Sequence, residues 1–213
     1  MDLFELKNIN INFVKNYYAL LNINLQFEIG KHYMIVGERE CGKSTLVRLI
    51  AGLEKKYSGE ILLDGQVIDL NNEFFKNEIG FINDKGVFLE SKSVLDNLSY
   101  AFYIRNDKRT TCNFNDVLEK FDLLEIKEKR LKDLCRFERI KVALARLSLR
   151  KFTFLILDEI FECLTKEEIS YLFKKINLLN FKSILITSKA NEKFANFDFQ
   201  IINMKAGFIV KEN

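Results

Sequence analysis

Proline and tryptophan are absent from this 213-residue chain, glycine occurs nine times and histidine once. At average usage about ten prolines and fifteen glycines would be expected in this length, so each surviving glycine is informative. Long apolar runs are missing too. Charged residues interrupt every one well before the roughly 20 residues that cross a bilayer, so any passage through a membrane is expected to fall to another chain. The opening Met1-Asp2-Leu3-Phe4-Glu5 lacks the basic-then-apolar layout of a secretion signal. Cys41, Cys112, Cys135 and Cys163 form no CxxC pair, which argues against a disulfide framework or a zinc site and fits a reducing cytosol. A surplus of one charge is also lacking. The 33 basic and 30 acidic residues leave +3, too little to hold nucleic acid by phosphate neutralisation.

What is present reads as globular. Hydrophobic residues make up 48% and charged residues 30%, and the length suits one α/β domain or two small ones. Strands are expected at 3–13 and 20–29, a turn at Gly30-Lys31, and a short apolar strand at 32–36 followed at once by Gly37. A helix over about 44–53 comes next, then a hairpin, GEILLDGQVI, turning at Asp64-Gly65, and a strand at 79–83. Between Asp84 and Leu134 the apolar spacing (Val94, Leu95, Leu98, Phe102; Val117, Leu118, Phe121, Leu124) becomes helical. Ile140, Ala143, Leu144 and Leu147 mark an amphipathic helix leading into the strand FTFLIL. A helix at about 166–178, a strand at 183–187, a short helix and strands at about 199–204 and 207–211 complete the chain. Such alternation argues for a mostly parallel sheet covered on both faces.

Residues 37–44, GERECGKS, match G-x-x-x-x-G-K-[ST] between an apolar strand and a helix, the context this phosphate-binding motif requires. Gly37 and Gly42 allow the tight turn, and the backbone amides of Glu38, Arg39, Glu40 and Cys41 together with the helix N-terminus face the phosphates. Lys43 reaches the β and γ phosphates, the Ser44 hydroxyl ligates Mg²⁺, and Thr45 continues the first turn. The strand FLILDE ends in two carboxylates. Asp158 is expected to hold Mg²⁺ through water at the carboxyl end of its strand, and Glu159, with Lys43 the expected catalytic residue, to orient and polarise an attacking water. Without the phosphate loop, these two acids would read as an ordinary strand end.

With these motifs in place, the chain resembles the ATP-binding subunits of ABC transporters over nearly its whole length: GEILLDG before a helical insertion, VLDNL at 94–98, IKVALAR at 140–146 and FLILDE. The resemblance implies an α/β P-loop NTPase of the ABC ATPase type, with a mostly parallel central sheet, an antiparallel β subdomain and a helical subdomain. Residues 1–213 are expected to form one ATP-binding domain, with 1–83 and 137–213 as the core and 84–136 as the helical part. ATP and Mg²⁺ are the implied cofactors. The implied partners are a transmembrane permease, which selects the cargo, and a second ATP-binding subunit packed head to tail; nucleic acid is not among them. The implied location is cytoplasmic, peripheral at the inner face of the cell membrane.

Several family positions differ. The chain's glutamines are Gln26, Gln66 and Gln200, so Asp84 stands where the family keeps a metal- and water-sensing glutamine, and is a candidate metal contact there. His32 precedes the phosphate loop, so Ser188 stands in place of the family's switch histidine. No glycine lies between Gly86 and Gly207, and Leu134, Cys135, Arg136, Phe137 and Glu138 occupy the place of the LSGGQ signature. Phe137 adds bulk and Glu138 repulsion where small residues would approach a phosphate. Glu40 replaces a loop glycine and must point outward; Ile160 and Phe161 replace the usual Pro-Thr. Thr165 replaces an aspartate and forms a capping-box pattern with Glu168. For the aromatic that the family stacks on adenine, Phe13 is nearest in register and Tyr17 is a second candidate, with ordinary packing as the alternative for either. These changes lead to an expectation of slow ATP turnover, or of a nucleotide-binding regulator whose hydrolysis is weak or absent.

Overall fold

In a computed structural model of the chain, the structure describes residues 3–14, 17–104 and 112–210. They divide into two compact units. The first holds residues 1–83, 152–162 and 181–213, and the second 84–151 and 163–180. The helical unit therefore takes in more of the chain than the expected 84–136, because the helices on either side of strand FLILD cluster with it.

The first unit contains two sheets. Strands β1 (Leu3–Val14) and β2 (Tyr17–Glu28) open an antiparallel sheet of order β2-β1-β4-β5 with β4 (Ser58–Leu63) and β5 (Gln66–Ile68). Their buried residues do not keep one period of two: Phe4 and Leu6 are buried, then Ile9 and Ile11, and on the partner strand Leu20 and then Ile23. A slip of one residue would turn the second half of each strand outward. It is absorbed at Asn8 (φ 51°) and Asn22 (φ 49°), both left-handed, where the β1–β2 register shifts. Asparagine tolerates this conformation better than most residues. Neighbouring asparagines then satisfy the displaced amides: Asn8 N donates to Asn24 Oδ1 at 3.0 Å and Asn22 N to Asn10 Oδ1 at 2.9 Å. The β4–β5 turn has positive φ at Asp64 and Gly65, as a two-residue hairpin of the expected kind requires.

The second sheet has six strands in the order β10-β9-β3-β8-β7-β6. These are β3 (Tyr33–Val36), β6 (Ile79–Asn83), β7 (Phe154–Asp158), β8 (Ser183–Ser188), β9 (Gln200–Lys205) and β10 (Phe208–Val210). All neighbouring pairs are parallel except β9–β10. Strands β7 and β8 are buried along their whole length, the condition of inner strands covered on both faces. Register aligns the carboxyl ends: Val36 lies opposite Ser188, and Asp158 opposite both Thr187 and Asn83.

Helix α1 (Lys43–Ile50) is shorter than its expected span because Gly52, at φ 71°, turns the chain. A Cβ at Gly52 would come within 2.8 Å of the Phe75 ring. Helix α2 (Glu73–Asn77), capped by the Asn72 side chain, was not anticipated. It is too short to show a period, and its Phe74 and Phe75 serve the core. Phe74 stacks on Phe4 at 5.6 Å, and Phe27 meets Phe154 edge-on at 6.2 Å.

The one histidine sits at the start of this sheet. His32 Nδ1 accepts the Ile184 amide at 3.2 Å, a bond only the neutral ring can make through that atom. Burial lowers its pKa, against a smaller upward pull from Asp198. The neutral form is thus favoured on folding. The stability this contributes is complete above the unfolded value near 6.5 and declines as pH falls through the lower folded value. Thermal stability should fall below about pH 6.5, and His32→Phe should flatten that slope; an unchanged slope would assign the pH dependence to other groups.

The second unit is helical: α3 (Val94–Tyr103), α4 (Phe114–Lys120), α5 (Arg136–Ser148) and α6 (Lys166–Asn177), with short 3-10 turns between α4 and α5. Helix α3 starts at a Ser93–Asp96 capping box. Helix α6 starts at the anticipated Thr165–Glu168 box, with Thr165 N donating to Glu168 Oε2 at 2.9 Å and Glu168 N to Thr165 Oγ1 at 3.2 Å. Just after α4, Asp122 accepts from the Tyr171 hydroxyl of α6 and pairs with Lys175 of the same helix at 2.8 Å. These two contacts hold the Asp122 carboxyl below its usual range.

Candidate functional site: a phosphate loop facing two carboxylates

The first unit brings the expected phosphate loop and the carboxylate pair together. Strand β3 ends at Val36, residues 37–42 form the loop, and α1 begins at Lys43. Both loop glycines are sterically required. A Cβ at Gly37 would collide with the Met204 carbonyl, and at Gly42 it would lie 2.5 Å from Ala19 O and 2.7 Å from Met204 Cε. Gly42 also has φ 106°, a conformation that side chains resist. Two backbone bonds tie the loop: Gly37 N donates to Ser188 O at 3.2 Å and Gly207 N to Cys41 O at 2.9 Å, and Gly207 in turn accepts from Leu21 N at 2.9 Å.

Glu38, Arg39 and Glu40 are exposed. Glu40, in the place of a glycine, adopts φ 60° and so carries backbone strain while its carboxylate faces solvent. Cys41 is buried, with its thiol 3.9 Å from Lys43 Nζ. The Lys43 side chain is only 2% exposed, and its ammonium donates to Gly37 O at 2.7 Å and Glu38 O at 2.8 Å. Glu159 Oε1 lies 3.4 Å from the same nitrogen. Buried cations persist where such partners surround them.

Ser44 Oγ donates to Asp158 Oδ1 at 3.2 Å. Thr187 Oγ1 donates to the same carboxylate oxygen at 2.7 Å and accepts the Glu159 amide at 2.9 Å. Glu159 itself sits at φ 53°. Immediately after it, Ile160 and Phe161 turn into the core, where Phe161 meets Phe194 at 5.5 Å; their apolar character is thereby explained. Thr187 is the residue that reading the sequence passed over. Its only signal there is a hydroxyl closing an otherwise apolar strand, SILIT.

Other expected positions are placed as follows. Thr45 is half-buried in the first turn of α1. Phe13 is 56% exposed on β1, and the Tyr17 side chain lies outside the described residues. Asp84 is exposed and belongs to the second unit, so it is not among the residues the first unit assembles. Ser188, in place of a histidine, turns its hydroxyl onto Ala190 O at 2.8 Å and offers its carbonyl to the loop. In the second unit, Cys135 N donates to Glu138 Oε2 at 2.9 Å, and the Phe137 ring packs against Tyr171 at 5.4 Å. The first turn of α5 thus carries its own carboxylate.

The residues fit a magnesium-bound nucleotide. Backbone amides and a helix N-terminus favour anions, both glycines let the loop pack against Met204 and Ala19 where a Cβ would collide, and Ser44 and Asp158 supply hard oxygens. Among the described residues no group of three or more His, Cys, Asp or Glu forms a metal cage. Mg²⁺ is commonly held by one or two protein oxygens together with substrate phosphates, and Ser44 and Asp158 offer oxygens of that kind.

A phosphate loop between a parallel strand and a helix, facing an acid at the end of the next strand but one in the sheet, defines a P-loop nucleotide-binding domain. The ABC transporter family model matches residues 20–162, and the chain belongs to that family. It is 31% identical to the sn-glycerol-3-phosphate import ATP-binding protein UgpC of Psychromonas ingrahamii over 75% of this chain and 43% of that protein. It is 30% identical to the sulfate/thiosulfate import ATP-binding protein CysA of Neisseria meningitidis over 96% of this chain and 59% of that one. The chain therefore spans about half the length of these relatives. The structure of CbiO1 from Clostridium perfringens, part of the ABC transporter complex CbiONQ, superposes with a TM-score of 0.80 at 23% identity over 99% of this chain and 88% of its own. The fold is that of an ABC ATPase. No helix among the described residues is long and apolar enough to cross a membrane.

Proposed function

We propose that this chain binds MgATP at residues 37–45 and couples ATP binding and hydrolysis to transport by a separate transmembrane permease, working from the cytoplasmic side of the membrane. The observation that carries this reading is the convergence of Lys43, Ser44, Asp158 and Glu159 within one hydrogen-bonded group. Family membership and the import roles printed for the relatives support the coupling.

The chain's own residues divide the work. The loop amides and Lys43 would bind the β and γ phosphates, and Ser44 and Asp158 would hold the metal. Bound Mg²⁺ supplies charge neutralisation at the transferred phosphoryl group. As Lys43 turns toward phosphate, its pairing with Glu159 relaxes, and a Glu159 carboxylate oxygen orients the attacking water and takes its proton. Phe13 is the candidate to stack on the base.

The first turn of α5 favours one further reading: a subunit whose own signature contributes little, paired with a second ATP-binding subunit that supplies an intact one. Glu138 places a carboxylate at the helix N-terminus, where a phosphate of the opposite nucleotide would need a cation or bare amides. The full chain should be purified alone and with the products of neighbouring genes. MgATP binding and recovery with a membrane permease are expected, with slow turnover alone. Absence of either association, or turnover alone on the order of tens per second, would contradict the respective part. Introducing Gln at position 84 and His at position 188 separates the readings: restored hydrolysis identifies a slowed enzyme, and none identifies a nucleotide-binding regulator.

A further inference from the structure

We infer that Thr187 is a positioning residue that sets both carboxylates of the site through one hydroxyl; the inference rests on the proposed binding of MgATP. Thr187 is 1% exposed and lies between Asp158 and the loop following it. A hydroxyl has one hydrogen and two lone pairs. Thr187 Oγ1 is 2.7 Å from Asp158 Oδ1, which as a carboxylate oxygen can only accept, so the hydrogen is committed there. The lone pairs then face the Glu159 amide, which donates at 2.9 Å.

The chain of donors therefore has a direction: Glu159 amide to Thr187 hydroxyl, Thr187 hydroxyl to Asp158 carboxylate. Each end does something definite. At the Asp158 end, Thr187 and Ser44 donate to the same oxygen, which fixes the orientation of the carboxylate. At the Glu159 end, the bond anchors a backbone held at φ 53°. In that conformation the side chain lies 3.4 Å from Lys43 Nζ. Left-handed geometry is uncommon for a non-glycine residue and persists when surrounding contacts enforce it. Thr187 belongs to a neighbouring strand, 28 residues away from Glu159 in sequence, so the constraint is tertiary and independent of the turn's own preference.

Partners that orient a metal-holding group typically matter about 10–100-fold in metal affinity or activity. Thr187→Val keeps the side chain's shape and removes the hydroxyl; Thr187→Ser keeps the hydroxyl and removes the methyl. The full chain would be titrated with trinitrophenyl-ATP in excess EDTA and again across a MgCl₂ series, with circular dichroism as a check on folding. Thr187→Val is expected to raise the Mg²⁺ concentration at half effect by about tenfold, with nucleotide affinity in EDTA little changed, and Thr187→Ser to behave as the wild type. Thr187→Ala carries the same expectation as Thr187→Val if the valine variant is not recovered folded. In the wild type, the Glu159 amide should be protected from hydrogen exchange.

An unchanged Mg²⁺ dependence in the hydroxyl-free variants, a serine variant as impaired as the valine one, or an unprotected Glu159 amide would overturn the assignment. A wild-type chain that binds no nucleotide in either condition would instead overturn the reading of the site as an ATP site, and the assignment with it.

Discussion

Replacing Lys43 with alanine is expected to raise the dissociation constant for MgATP at least a hundredfold, measured by equilibrium titration with a fluorescent ATP analogue. The Lys43 side chain is 2% exposed and its ammonium is held between Gly37 O and Glu38 O at 2.7 and 2.8 Å, so it is positioned before any ligand arrives and loses little freedom on binding. Charge-assisted hydrogen bonds contribute about 1.5–3 kcal/mol each. Two such contacts to phosphate oxygens give about 3 kcal/mol or more, and about 1.4 kcal/mol corresponds to a factor of ten. Lys43→Arg should fail to restore binding, because a planar guanidinium cannot sit as a point charge between two loop carbonyls. Affinity within tenfold of wild type in the alanine variant would remove Lys43 from the phosphate site.

Glu159→Gln is expected to lower ATP turnover by about 10²–10⁴-fold, the usual contribution of a positioned acid or base, while MgATP binding stays within a few fold of wild type. The amide has the carboxylate's shape and leaves the backbone bond to Thr187 Oγ1 intact, so the loop keeps its geometry. It lacks only the ability to take a proton. Removing one negative charge 3.4 Å from Lys43 Nζ also lessens the competition for that cation, so affinity should hold or tighten. Turnover is read by phosphate release from the chain with its partner subunits, and binding by titration of the same preparation. Turnover within tenfold of wild type would place the water-activating group elsewhere.

Much of the site was legible along the chain because its chemistry is local. Gly37, Gly42, Lys43 and Ser44 fall within eight consecutive residues, and the structure gives steric reasons for both glycines in Met204, Ala19 and the left-handed turn at Gly42. The Asp64-Gly65 hairpin and the Thr165–Glu168 cap were equally readable, since each is a bargain between residues one to three apart. Helix α2 was not, because five residues carry no period. The strands at 3–13 and 20–29 were readable, but not the matched bulges at Asn8 and Asn22 that shift their register.

The sequence by itself determined the class of site: a phosphate loop, a magnesium-compatible hydroxyl and acid, and a signature segment stripped of glycine. Those are statements about residue types at short spacing, which local sterics and charge decide. Only the tertiary structure decided that one oxygen of Asp158 receives hydroxyls from Ser44 and Thr187, and that Thr187 also fixes the Glu159 backbone. It likewise decided that the flanking helices α5 and α6 belong with the helical unit. Such relations depend on strand order and register, which join residues 28 to 114 apart in sequence, and no spacing along the chain encodes them.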